Sequence, residues 1–231
     1  MVLLEPPPAA QPAARSDSDA TRRDAAGPAT RVRMTGSERR EQLIAVAREV
    51  FAEKGFAVAS IEEVAHRAKV SKPVVYEHFG GKEGLYAVVV DREMSDLLDR
   101  LTRALSSGHP RELAEQAALA LLTYIEEQTD GFRILSRDSS VAGGAFSSLL
   151  NDIANQAEYV LVREFGRRGI STKHAAMYAQ MLVGMVALTG TWWLEERKPK
   201  REEVAAHLVN LAWNGLAHLE ARPRPIKPTE G

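Results

Sequence analysis

The sequence contains no cysteine. Disulfides, thiolate metal sites and a cysteine nucleophile are therefore excluded, and the chain suits a reducing cytosol. Net charge is nearly absent as well. The formal balance is -1 at pH 7, which gives no global attraction to nucleic acid or membrane. Any such attraction has to come from a local asymmetry. No stretch shows the apolar/polar alternation of a strand, and no internal repeat is visible. The G-x-S-x-G, H-E-x-x-H and G-x-G-x-x-G patterns are missing too. Gly80-Gly81-Lys82 resembles the end of a phosphate loop, but that spacing needs Gly where Tyr76 stands and Ser or Thr where Glu83 stands. Glu62, Glu63 and His66 read as a solvated helix face rather than a metal site. His174, His207 and His218 are scattered, and Ser139 and Ser140 beside Asp138 have no motif histidine. No enzyme, cofactor or metal is expected.

Targeting signals are also wanting. MVLLEPPPAA has neither a basic start nor a long apolar run, and Glu5, Asp17, Asp19 and Asp24 interrupt the arginines as no transit peptide does. One segment, Ala175 to Leu194, carries no charge and is long enough to span a bilayer. It is rich in Ala, Gly and Thr and contains Gln180, so it reads instead as a helix buried on nearly all sides, in a core plus a subunit interface.

What is present is helical periodicity. Residues 1–33, rich in Pro, Ala, Asp, Arg and Ser, read as a disordered arm ending in Arg31 and Arg33. From Ser37, a plausible N-cap, Leu43, Ile44, Ala47, Val50 and Phe51 recur at helical spacing until Gly55. Ser60 and Glu63 form an S-x-x-E capping box for a short helix at about 60–68. After a three-residue break a second short helix, about 72–79, starts at Ser71 with Pro73 in its first turn. Longer helices follow at about 82–105, 111–128, 145–167, 172–196 and 201–220, with a short helix and loop after residue 128 and a Pro-rich tail over 221–231. The fold class is all-α: a helix-turn-helix domain over 34–81 and a larger helical domain over 82–220.

Two short helices joined by a tight turn, the second carrying Ser, Lys, Tyr and His, read as a helix-turn-helix. The second helix of such a pair lies in the major groove. Lys72 can meet a phosphate or guanine acceptors, and Pro73 and Val74 a thymine methyl. Tyr76 and His78 can donate to phosphates from the helix flank, while Val75 and Phe79 face inward. Lys82 opens the next helix, where its charge opposes the helix dipole; a bound phosphate would offset that cost.

The stretch VAHRAKVSKPVVYEHFGGKEGLY resembles the DNA-binding signature of the TetR family of bacterial transcriptional regulators, and the likeness covers roughly residues 38–90. One departure is Lys69, where the family usually has Gly before Val-Ser; the turn is expected to persist at a cost of about 1 kcal/mol. The resemblance implies a homodimer reading a palindromic operator in double-stranded DNA. Ser71, Lys72, Pro73, Val74, Tyr76, His78 and Lys82 match the DNA-contacting pattern, and Ser60 matches a phosphate-capping position. Arg31 and Arg33 can add a minor-groove arm. The resemblance also implies a ligand pocket and a dimer interface in the last helices, with Gly184, Ala187, Gly190, Leu208 and Leu211 as interface candidates.

Tyr124, Phe132, Phe146, Met181 and Trp192 are candidates to line an apolar pocket, with Arg133 and Arg137 as candidates for an anionic head group. The runs around Gly131-Phe132-Arg133 and Leu182-Val183-Gly184 are similar to actinobacterial family members that govern fatty-acid metabolism and sense long-chain acyl-CoA. An acyl-CoA and a bulky apolar drug or metabolite both remain open as effectors. Two functions remain: a ligand-responsive dimeric regulator in the cytoplasm, with repression the expected sign, and a helical interaction protein whose helix-turn-helix no longer reads DNA.

Overall fold

A computed structural model of the chain describes residues 34–137 and 144–220. Arg31, Arg33, the arm, the tail and Asp138 to Ser140 lie outside the described residues. The helices are α1 (Gly36–Val58), α2 (Ile61–Arg67), α3 (Lys72–Phe79), α4 (Lys82–Ala104), α5 (Pro110–Glu127), α6 (Thr129–Arg137), α7 (Ala145–Arg167), α8 (Ala175–Glu196) and α9 (Arg201–Ala217). A 3-10 turn at Thr172–His174 leads into α8. The described residues contain no strand.

Local chemistry sets the boundaries, with some corrections. The cap of α1 is Thr35, not Ser37. Its hydroxyl accepts from the Glu38 N–H at 3.2 Å, and the Glu38 carboxylate accepts from the Thr35 N–H at 2.8 Å. That reciprocal pair needs Glu at the third helical position, which Thr35 has. At Gly55 φ swings to 74° and kinks the helix, but helical turns resume as far as Val58. Only half of the Ser60 box forms. Ser60 Oγ accepts from the Glu63 N–H at 3.2 Å, whereas the Glu63 side chain turns away to Lys54 and Arg67. Ser71 occupies the cap position of α3 without a side-chain cap bond. Lys69 holds φ at 56°, so the tight turn survives the absence of Gly.

One apolar core runs from Leu43 and Phe51 on α1 through Leu85 and Leu97 on α4 to Trp193 on α8 and Leu208 on α9. A smaller cluster joins α7 to α8, with Phe165 edge-on to Tyr178 at 5.5 Å. The charge-free segment is α8. Among the described residues no helix is long and apolar enough to cross a membrane.

Where α1, α4, α5 and α6 meet, the core is polar. Glu93 is the one buried charged residue among those described. Its carboxylate accepts from Arg48 Nε at 2.6 Å and from the Tyr124 hydroxyl at 2.7 Å. Arg48 also donates to Gln128 Oε1 at 2.8 Å. Burial first, then the Glu93 charge, pushes the Tyr124 hydroxyl well above the ordinary phenol range, so it stays a donor. Gly131 on α6 lies against this cluster: a Cβ there would sit 1.7 Å from Glu93 Oε2 and 2.6 Å from the Tyr124 oxygen.

Gly131→Ala is therefore expected to destabilise the protein by about 1–3 kcal/mol through overpacking. Tyr124→Phe should cost a similar amount, about 1–3 kcal/mol, by leaving a buried carboxylate oxygen without its donor. Urea unfolding checks both, and an unchanged midpoint in either variant would contradict the geometry.

Candidate nucleic-acid interface and effector cavity

The turn between α2 and α3 is fixed from inside. Val75 is fully buried, and Val70, Val74 and Phe79 pack against the core. That leaves Ser71, Lys72, Pro73, Tyr76 and Glu77 exposed. Tyr76 is 46% exposed and lies under Lys72, whose Nζ is 5.7 Å from the ring centroid. His78 is half-buried, with its ring 6.0 Å from that of Phe79. Val74 is half-buried and packs against the core of its own domain. Ser60 is half-buried and already caps α2. The structure thus brings Ser71, Lys72, Pro73 and Tyr76 together on one face.

Lys82 has a different explanation from the one its position suggested. Its Nζ donates to the Ala57 carbonyl at 3.1 Å and lies 4.5 Å from the Phe56 ring centroid. The cation at the start of α4 is therefore satisfied by the C-terminal end of α1, where carbonyls and the dipole favour positive charge. No phosphate is needed to account for it.

Charges on this head are mostly matched. From Met34 to Glu83 the acids equal the bases in number. Lys72 pairs with Glu62, Lys54 with Glu63, and Arg67 with both Glu53 and Glu63. The Arg67 guanidinium is pushed upward by its bonds to Glu53 and Glu63, and Glu53 is held below the usual carboxylate range by Arg67. Glu62 and Glu63 are thus ion-pair partners, not idle solvent-facing carboxylates. Arg67 and Glu63 are an ordinary i,i+4 pair, but nothing in the local sequence signals Lys54–Glu63 or Lys72–Glu62, whose partners lie nine and ten residues apart on different helices.

A cavity of about 350 Å³ lies among α4, α5, α7, α8 and α9. Its walls are apolar: Leu97 and Leu101 on α4, Leu121 on α5, Ile153 on α7, Met185 on α8 and Leu208 on α9. Glu164 and Arg168 border it, but Arg168 is engaged, donating to the Leu216 and Ala217 carbonyls at 2.8 and 3.1 Å. Of the five pocket candidates only Phe146 lines this space. Tyr124 belongs to the Glu93 cluster, and Phe132 is buried between the two, 6.5 Å from Tyr124 and 5.8 Å from Phe146. Met181 and Trp192 point the other way and are 56% and 52% exposed. Neither arginine proposed for a head group reaches the cavity. Arg137 donates to the Ala52 carbonyl at 3.0 Å, and Arg133 lies 3.9 Å from Asp130.

The interface candidates divide similarly. A Cβ on Gly190 would meet Ile125 Cδ1 at 2.9 Å, so this glycine serves close packing on α5 of the same chain. Ala187 and Leu208 are buried and line the cavity. Gly184 opens outward, where an added Cβ meets nothing within 4 Å, and Leu211 is exposed. The outer face of α8 instead carries Met177, Met181, Leu188 and Trp192, all exposed. Four apolar residues at helical spacing were present in the sequence, but only the packing shows which face they occupy.

The model for bacterial regulatory proteins of the tetR family matches residues 43–89. The model for the tetracyclin repressor-like C-terminal domain matches residues 100–226. The chain is 31% identical over 192 residues to the HTH-type transcriptional activator FasR of Mycolicibacterium smegmatis, covering 81% of this chain and 87% of that protein. A TetR-like transcriptional regulator from Rhodococcus sp. RHA1 superposes with a TM-score of 0.68 at 24% identity, covering 81% of this chain and 100% of that one. The transcriptional regulator FadR from Bacillus subtilis, solved in complex with stearoyl-CoA, superposes with a TM-score of 0.62 at 18% identity, covering 76% and 98%. At these identities the two structural likenesses establish the fold alone.

Lys82→Met keeps the stem and removes the charge. Without DNA it is expected to lower stability by about 1 kcal/mol, because the Ala57 carbonyl loses its donor. A denaturation curve indistinguishable from wild type would show that this contact contributes nothing.

Proposed function

The chain belongs to the tetR family of bacterial regulatory proteins, and on that premise we propose that it is a ligand-responsive transcriptional regulator that binds a palindromic operator as a homodimer. Its DNA affinity changes when an apolar molecule fills the cavity. The observation that carries the reading is α3 itself: Lys72, Pro73 and Tyr76 face solvent together while Val75, on the opposite side, is fully buried. A helix anchored this way can enter a major groove without losing its hold on the domain. Two such helices, about one DNA turn apart, read two half-sites. The exposed apolar strip of α8 is the surface offered to the second copy. Such a protein works in the cytoplasm, on the nucleoid.

The effector reading follows from the cavity walls. They are apolar, and the bordering Arg168 already has two carbonyl partners, so the interior suits a hydrocarbon chain and a charged head group would remain outside. A long-chain acyl-CoA fits that description, and the similarly folded FadR, solved in complex with stearoyl-CoA, supports it. Repression is the expected sign, although FasR carries the name of an activator.

Selection from random duplex DNA by the purified full-length protein should enrich a palindrome with half-sites about one helical turn apart. Salt-sensitive binding with no enriched sequence would favour a helical interaction protein instead. Tyr76→Ala should weaken binding to all enriched sequences alike, by about 1 kcal/mol, if it contacts phosphate.

Palmitoyl-CoA in hundredfold excess over its Kd should stabilise the protein by about 2.7 kcal/mol. It should also shift operator affinity. Ile153→Trp, which fills the cavity, should abolish both effects while leaving ligand-free operator binding intact. If palmitoyl-CoA moves neither the melting temperature nor the operator affinity of the wild type, the acyl reading is wrong.

A further inference from the structure

Beside the exposed side of α3 lies an acid, where a DNA-binding regulator has least use for one. Glu62, in the first turn of α2, is exposed, yet its carboxylate accepts a hydrogen bond from Lys72 Nζ at the start of α3. That bond is the main reason the Glu62 carboxyl lies below the usual carboxylate range, and the same contact pushes the Lys72 ammonium upward. Lys72 is one of the groups assigned above to operator phosphate or base, and a carboxylate therefore already occupies it.

We propose that Glu62 is an internal stand-in for a DNA phosphate: it holds Lys72 in the free protein and has to be displaced when the head binds DNA. This rests on the DNA-binding reading above. The chemistry of the two anions is matched. A carboxylate and a phosphodiester each offer anionic oxygens to an ammonium. The exchange is feasible because both side chains of the pair are largely in solvent, where such pairs are weak and both partners can swing. Its consequence is large because acids and bases balance across the head. With no excess of positive charge, non-specific attraction depends on individual cations, and Glu62 withholds one of them. Duplexes that offer only phosphates must compete with Glu62. The displacement lowers affinity for an operator and for a random duplex alike, by the free energy of the lost contact.

The test is anisotropy with a labelled duplex of random sequence, at two salt concentrations, on full-length protein. Glu62→Gln should tighten binding about 3–10-fold at low salt, and the slope of log K against log salt should steepen by about one. Adding Lys72→Ala should remove the gain. Glu49→Gln, on an exposed α1 residue outside this contact, controls for net charge and should gain less. Thermal melts establish that all variants fold. The inference is overturned if Glu62→Gln binds no better than wild type, if Glu49→Gln matches it, or if the gain persists without Lys72. Wild-type protein that binds duplex while Glu62→Gln changes nothing defeats this inference alone. Absence of binding by both proteins defeats the DNA-binding reading with it.

Discussion

The buried carboxylate of Glu93 is the constraint on which the arrangement of the helices depends. Moving a carboxylate out of water costs several kcal/mol unless donors replace the lost hydration. Here the donors come from different helices: Arg48 from α1 and Tyr124 from α5, with Gln128 steadying Arg48 from beyond the end of α5. The α6 backbone approaches so closely that only hydrogen fits at Gly131. Each donor's position is thus fixed by the same acid. The angle between the reading head and the rest of the chain cannot change without disturbing it. Arg137 adds a second tie, from the end of α6 to the Ala52 carbonyl of α1.

This placement bears on how a cavity can influence a DNA-reading helix. Glu93, Leu97 and Leu101 recur at four-residue spacing along α4, and all three are buried. The first belongs to the polar cluster and the other two to the cavity wall. Leu121 and Tyr124 on α5 repeat the relation, one turn apart. A ligand that moves α4 or α5 at the cavity therefore strains the bonds around Glu93, and the bonds in turn resist. On the regulator reading, the coupling free energy is the difference in that strain between two head orientations, typically about 1–3 kcal/mol. Close packing favours two discrete arrangements over a graded response, since the intervening side chains have no slack to absorb a displacement.

Much of this fold could be read in advance, and the exceptions have physical causes. The α2–turn–α3 unit was legible because caps, breakers and buried positions are local: Ser60, Ser71, Pro73, Val75 and Gly80 each act within one turn of themselves. The left-handed turn at Lys69 was legible only through the family resemblance, which places Gly at that position. The Glu93 cluster was not, because it joins residues from Arg48 to Gly131 and an isolated Glu on a helix usually faces water. The partner of Lys82 within the chain was hidden in a similar way. The lysine charge opposes the dipole of its own helix, and the carbonyl that accounts for it lies on α1. Pocket residues were the least legible. Aromatic and Met side chains at helical spacing suit a core, a cavity wall and an outer strip equally, and Tyr124, Phe146 and Met181 went one to each.

Helix α8 shows why composition alone leaves that ambiguity. Ala175, Ala179, Ala187, Gly190 and Trp193 are buried within the chain, and they are mostly small because α5 and α7 come close. Met177, Met181, Leu188 and Trp192 lie on the other side and are large and exposed. A helix with one buried face normally places charge on the other. This one places none between Ala175 and Leu194, yet among the described residues no helix qualifies to cross a membrane. On the homodimer reading, a second copy packed against the large residues resolves the contradiction. Gly184 sits in the middle of that strip with no neighbour within reach of a Cβ, which leaves room for another helix to approach. On the homodimer reading, the absence of charge that resembled a membrane signal comes from burial on two sides, one within the chain and one between copies.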